Sequence, residues 1–389
     1  MHDYSRKSYG RAHEVAEIKK LFDDGKDVSM HGPRRLGKTF VLDRMAEYAA
    51  GGDICLKVEL AGCTEPKAVF RRMCEEITRK RSIPRKTFDW VTQRVLQVTS
   101  PRTETGGAWY QNLLNLDWET YFERLINAIN EDKAHRWLVL IDELPIFLKA
   151  LHDKGADGEK QARDFMNYFT RLRAVAPRVR WLITGSIGIE PLARAGQYLG
   201  TLSKFTPYLL LPLTVDQARD YIQDLAFDGA LPQRQTIPAD EADAVVAAVG
   251  WRAAYYLEAF ARVLPVQVPR SPEEVASNIA AAHLALLEPH HTATFGTWEE
   301  HIRKHQNPQQ QMLSFAALKA IAQHQAGLTL DTILGAIQSS VDKDALRQHL
   351  QLLVVDGFLH QQAPADDGTP YAFRIPLLRL WWQRWPAAV

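Results

Sequence analysis

Two rhythms of apolar and polar residues alternate along the first half of the chain. Runs of strand length occur at Asp27-Val28-Ser29-Met30-His31, short and mixed, and with apolar centres at Ile54–Leu60, at Arg136-Trp137-Leu138-Val139-Leu140-Ile141-Asp142-Glu143 and at Val179–Ser186. Between them apolar residues return every three or four positions, as one face of a helix requires. That spacing runs from Tyr9 through Ile18 to Leu21-Phe22, where Asp23-Asp24-Gly25-Lys26 stops it. It returns over Phe40–Ala46, from about Glu65 to Lys80, over Trp118–Ile129, and around Phe165, Tyr168-Phe169 and Leu172. Strand and helix in alternation predict an α/β fold, a parallel sheet with helices on both faces, because each parallel crossover needs a connecting segment that covers the sheet. Residues 81–115 break both rhythms with scattered Pro, Ser, Thr and Gly, and read as a partly ordered excursion.

The second half is patterned differently. From Thr214 to Pro308 it is helical, with Ala-rich amphipathic segments at Asp216–Leu225, Ala239–Val249 and Pro272–Leu287, which predicts a helical lid domain. After Gln310 come helices over Met312–His324, Leu328–Leu334 and Val341–Val355, then strands at Phe358-Leu359-His360 and Tyr371–Ile375 around an Ala-Asp-Asp-Gly-Thr turn. Three helices and a hairpin make a winged helix. The expected domains are a core over 1–211, a lid over 212–309 and a winged helix over 310–389. The aromatic Leu377–Trp385 is read either as a helix packing back on its domain or as a docking surface.

Composition narrows the classes. A chain of 389 residues, 46% hydrophobic, has room for two or three domains with a substantial core. The net charge of +1 gives no bulk footprint for nucleic acid or anionic membrane. Cys55, Cys63 and Cys74 are odd in number and lack metal-ligand spacing, which predicts reduced thiols and a cytoplasmic protein. Met1–Lys7 has no apolar stretch behind it, and no long apolar run follows, so neither secretion nor a membrane partner is expected.

The chemistry concentrates in Gly32-Pro33-Arg34-Arg35-Leu36-Gly37-Lys38-Thr39, which has the spacing of a phosphate-binding P-loop. Glycines let the backbone curl until successive N–H groups face phosphate oxygens, and the helix through Phe40 turns its positive end to the same anion. The phosphate chain of a nucleotide is therefore the expected ligand. Lys38 would reach the β- and γ-phosphates and Thr39 would hold Mg²⁺. The apolar strand into Asp142-Glu143 completes the pattern: Asp142 behind the metal through water, Glu143 as general base for the attacking water. Thr184 or Ser186, at the end of the next strand, is either a sensor of the γ-phosphate or the cap of the following helix. Arg171, Arg173, Arg178, Arg180 and Arg194 crowd this stretch as arginine-finger candidates or as solvated surface. His290-His291 reads as polar surface.

The Arg11–Glu14 segment, the P-loop, the strand into Asp-Glu, the strand into Thr184-Gly185-Ser186, and Leu210-Leu211-Pro212-Leu213-Thr214 with Ala218 together resemble the archaeal-type ATPase family of the STAND and AAA-like P-loop NTPases. The resemblance implies that the nucleotide is ATP and that the chain is a slow or partner-stimulated ATPase in which nucleotide state repositions the winged helix, serving defence or signalling. It implies that Arg11 lies near the adenine. Where the family has Gly-Gly-x-Pro in its helical domain, this chain has Val249-Gly250-Trp251-Arg252, without the proline. A protein partner or self-association is expected. Duplex DNA through residues 310–375, as in replication initiators or transposition helpers, is the alternative. The third helix carries Asp342, Lys343, Asp344, Arg347, Gln348 and His349, so the two signs roughly cancel and favour protein contact.

Overall fold

A computed structural model describes residues 11–47, 53–79, 118–337, 341–361 and 368–384. The excursion expected at 81–115, the turn with Asp366-Asp367 and Trp385 lie outside them. The described residues form two compact units: 11–31 with 38–210, and 32–37 with the residues from 211 onward.

The first unit is built on five parallel strands in the order β2-β3-β4-β1-β5. They are β1 (Val28–His31), β2 (Asp53–Glu59), β3 (Arg136–Asp142), β4 (Val179–Thr184) and β5 (Thr206–Leu209). Every residue of β3 after Arg136 is buried. Such a run suits a strand covered on both faces, since side chains alternate between the two. Trp137, Val139 and Ile141 join one apolar cluster with helices Pro66–Arg79, Trp118–Glu131, Leu144–His152 and Ala156–Val175. Leu138 and Leu140 are equally buried on the opposite face, where helices Ala12–Asp23 and Lys38–Glu47 cover the sheet. Side chains such as Trp137 and Trp181, at 1% and 0% exposure, each contribute roughly 1.5–3 kcal/mol through burial. The acid before β1 is absorbed into this frame. Asp27 accepts from the Trp181 backbone N–H at 2.9 Å and from Arg173 Nε at 2.6 Å.

Two elements escape the sequence rhythm. Helix Leu144–His152 follows β3 directly, although Pro145 reads as a breaker; the proline sits in the first turn, where its missing N–H has no helical partner to lose. Strand β5 carries Pro207 and alternates half-exposed with exposed residues, so it lacks the apolar signature of its neighbours. Boundaries also differ from expectation. β3 ends at Asp142, β4 at Thr184, and the helix after the P-loop begins at Lys38.

The second unit contains helices Val215–Phe227, Ala239–Val249, Ala254–Ala261, Pro272–Leu286 and Thr292–His305. Capping boxes at Thr214 and Asn307 open the first helix and the one that follows this group. Inside it, Glu241 is fully buried and accepts from Arg234 Nη1 at 2.7 Å and Asn278 Nδ2 at 2.9 Å. Helices Pro308–Ala322, Leu330–Ala336 and Lys343–Val355 then lead to the antiparallel pair β6 (Leu359–His360) and β7 (Ala372–Phe373), the order expected of a winged helix. Helix Pro376–Arg384 packs back on this part. Trp382 lies between Phe315, Phe358 and Phe373, and Trp381 meets Phe295, with both tryptophans nearly fully buried. These two rings are core, so the docking reading of the aromatic segment loses its main side chains. His290 and His291 lie on a short 3₁₀ turn, and among the described residues no group of three or more potential metal ligands of the His, Cys, Asp or Glu type occurs. No helix among the described residues is long and apolar enough to cross a membrane.

Candidate functional site

Sheet order decides what meets at the C-terminal edge. β4 lies between β1 and β3, so the chain leaving β3 at Asp142 and the chain leaving β4 at Thr184 emerge side by side, the place where parallel α/β sheets put their ligands. Asp142 is 3% exposed and its Oδ2 accepts from the Thr39 hydroxyl at 2.8 Å. Its Oδ1 accepts from the Glu143 N–H at 3.1 Å. The sequence gap of 103 residues between Thr39 and Asp142 is closed by the sheet.

Glu143 adopts left-handed backbone angles, φ 58° and ψ 32°, as it starts helix Leu144–His152. A residue with a side chain spends about 1–2 kcal/mol in that conformation. What the turn achieves is direction. Glu143 Oε2 accepts from both the Ser186 N–H and the Ser186 hydroxyl, each at 2.9 Å. Gly185 leaves the room for this: a Cβ there would stand 2.4 Å from Pro145 Cδ and 3.5 Å from Glu143 Oε2. Burial raises the Glu143 carboxyl above the usual glutamate range, and the charge of Asp142 pushes the same way. The bonds from Ser186 and the charge of Lys38 oppose them without cancelling them. The result is a carboxylate fixed in place and more basic than a solvated one.

The loop between β1 and helix Lys38–Glu47 takes positive φ at Gly32 (152°), Arg35 (63°) and Gly37 (100°). Such reversals turn successive N–H groups inward and suit a phosphate. Leu36 is buried and anchors the loop, while Lys38, 7% exposed, and Thr39 open the helix. Phe40 lies under the Arg44 guanidinium, 5.1 Å from its ring centroid. For Mg²⁺ the donors fit: a hydroxyl and a carboxylate 2.8 Å apart are hard oxygens, and Mg²⁺ takes few protein ligands and keeps several waters.

The other expected residues separate into two groups. Ser186 is brought to Glu143, whereas the Thr184 hydroxyl is committed to the Met30 carbonyl at 2.8 Å. Arg11 is buried before helix Ala12–Asp23 and donates to Glu14. Of the finger candidates, Arg173 is held by Asp27, Arg178 donates to the Asp132 carbonyl, Arg180 to the Val179 carbonyl, and Arg171 lies over Tyr168. Arg194 is exposed in the last turn of Ile189–Ala195.

Sequence reading missed the surroundings of the loop arginines. Within the second unit Arg34 Nη1 is 2.5 Å from His301 Nδ1, and its guanidinium lies 5.9 Å from the centroid of Trp298. Arg35 stacks over Tyr255 at 4.5 Å. The available signal was that the loop's backbone does the phosphate work, which leaves two adjacent arginine side chains for another purpose.

No family model and no curated protein matches the sequence. Solved structures do. A Walker-type ATPase of Pyrococcus abyssi superposes with a TM-score of 0.63 at 15% identity, covering 96% of this chain and 95% of that one. The Aeropyrum pernix ORC2 protein, in ADPNP–ADP complexes, gives 0.52 at 13% identity over 96% and 92%. At such identities the likeness is one of fold. The chain has the fold of a P-loop ATPase, a parallel sheet with helices on both faces, followed by a helical lid and a unit of three helices and a hairpin.

Proposed function

We propose that the chain is an ATP-binding and ATP-hydrolysing switch of the STAND and AAA-like kind, slow alone and stimulated by a partner or by self-association. The observation that carries it is the pair of contacts at the sheet edge, Thr39 with Asp142 and Glu143 with Ser186. Thr39 and Asp142 hold Mg²⁺, which when bound neutralises phosphate charge. Lys38 and the amides of Gly32–Gly37 bind the phosphates, with Phe40 following and Arg11 on the adenine side. Glu143 accepts the proton of the attacking water, and Ser186 holds its carboxylate in line. A solved neighbour in ADPNP–ADP complexes supports an adenine nucleotide.

The working domains are 1–211, 212–309 and 310–389, the last a winged helix that the nucleotide state repositions for a protein partner. A cytoplasmic setting fits Cys55, Cys63 and Cys74, all buried and free. Duplex DNA through residues 310–375 is the second reading, since three helices and a hairpin also serve DNA binding. Against it, Lys343 pairs with Asp331 and Arg347 with Asp344, so the third helix offers little net positive charge. Salt-dependent binding to a duplex would favour DNA.

The test is ATP turnover by wild type, Lys38→Ala and Glu143→Gln over a range of protein concentrations. Turnover that both variants abolish supports the reading. Turnover unchanged in Glu143→Gln leaves a binding scaffold instead. Specific activity that rises with concentration places a missing component on a second copy.

A further inference from the structure

His301 lies on helix Thr292–His305, 2% exposed, between two groups of opposite charge. Arg34 has only N–H donors, so the ring nitrogen 2.5 Å from its Nη1, Nδ1, accepts. The ring proton is then on Nε2, which faces Asp356 Oδ2 at 3.4 Å. His301 is therefore neutral, in one tautomer, bridging a guanidinium and a carboxylate. Burial and Arg34 both hold its pKa below the ordinary value, against the pull of Asp356.

Both ends of the bridge are fixed. Beneath Arg34, Trp298 is fully buried and donates its indole N–H to the Tyr256 hydroxyl at 2.7 Å. Asp356 caps helix Lys343–Val355, and the turn after it has the paired bonds of a Schellman motif: Gly357 N–H to the Val354 carbonyl, Phe358 N–H to the Leu353 carbonyl. Gly357, at φ 90°, is where that turn meets the loop. A Cβ there would lie 2.8 Å from Pro33 Cβ. The turn ending the third helix thus touches the phosphate loop twice, directly at Pro33 and through His301 at Arg34.

We propose that His301 is a positioning residue for the phosphate loop, holding Arg34 through Nδ1 while Asp356 holds it through Nε2, so that loop conformation and the turn after Lys343–Val355 are coupled. Arg34 side-chain geometry is what the bridge senses. A nucleotide that draws the loop toward its phosphates loads this bridge, and a displacement at Asp356 returns the effect to the nucleotide. The inference rests on reading Gly32–Thr39 as the nucleotide loop, and it deepens that reading by naming the contact that carries the regulation.

The test uses the full chain, with two measurements. Hydrogen exchange of the peptide over Gly32–Gly37, without nucleotide, reads the positioning. Titration with ATP and with ADP reads the coupling. His301→Leu and Asp356→Asn are expected to speed loop exchange and to change the ATP-to-ADP affinity ratio by about tenfold, with both effects reduced or lost in an Arg34→Ala background. His301→Asn, whose side-chain oxygen replaces Nδ1 as acceptor, should restore loop protection but make the chain insensitive to Asp356→Asn. Asp356 is partly solvent-exposed, so its variant keeps the test alive if a His301 variant fails to fold. The proposal is overturned if these substitutions leave exchange unchanged, or act equally with and without Arg34. If wild type binds neither ATP nor ADP while His301→Leu still loosens the loop through Arg34, the nucleotide reading falls and the positioning stands.

Discussion

The sheet edge and the loop arginines solve opposite problems with the same kind of contact. At the edge, Asp142 and Glu143 are adjacent in sequence and are aimed by a backbone reversal, so one strand end delivers both carboxylates. Around the loop, Arg34 meets His301 from 267 residues away, and His301 meets Asp356 from a further 55. The first arrangement is local chemistry placed by a sheet. The second is long-range geometry, and it exists only when several helices have packed. The comparison teaches that one strand end can place neighbouring carboxylates, while the contacts of a loop are drawn from distant parts of the chain.

Substitutions separate the two regions by size of effect. Glu143→Gln should reduce turnover by about 10²–10⁴-fold while leaving ATP binding in place, measured as steady-state hydrolysis beside equilibrium titration. Gly185→Ala should cost roughly tenfold or more in turnover, because its Cβ collides with Pro145 and displaces the carboxylate. Hydrolysis at wild-type rate in that variant would mean that Glu143 placement is not limiting. The matching glycine of the other region behaves differently. Gly357→Ala combines a strained φ with a collision at Pro33, so thermal denaturation should show a loss of about 1–2 kcal/mol even without ligand.

Smaller effects sharpen the contrast. Burial places the Glu143 titration above the ordinary glutamate range, so turnover should fall on acidification through that raised pKa as the base becomes protonated. Ser186→Ala removes the hydroxyl hydrogen bond to Glu143, which favours the charged form, and keeps the backbone one, so the acid limb of the rate profile should move modestly to higher pH. A limb moving lower would break the assignment of Ser186. Tyr255→Leu removes the ring under Arg35 and should loosen the loop by about 0.5–1 kcal/mol in hydrogen exchange.

Much of the edge was legible in the sequence because its residues sit at the ends of elements with strong signatures. The apolar run of β3 announces a buried strand, and the two acids that follow it mark its exit. The Thr39–Asp142 contact needed only the rule that parallel strands deliver their C-terminal ends together. Its place at a strand end marks Ser186 as a neighbour of phosphate or as a cap; that it holds Glu143 depends on the left-handed turn at Glu143, which no spacing reveals. Helix Leu144–His152 was obscured by Pro145, and β5 by Pro207 and its exposed alternation. His301 and Asp356 gave no signal at all. A histidine on an amphipathic helix and an aspartate at a helix end are common, and only packing makes them partners.

One of the two edge strands bears on how the protein behaves when concentrated. Among the described strands β5 lies at the edge of the sheet, with Leu209 63% exposed, a surface on which another chain could pair by simple backbone addition. Pro207 withholds one N–H in the middle of that strand and interrupts any continuous ladder. Replacing Pro207 with valine restores that donor, and should increase precipitation on concentrating the protein without touching turnover.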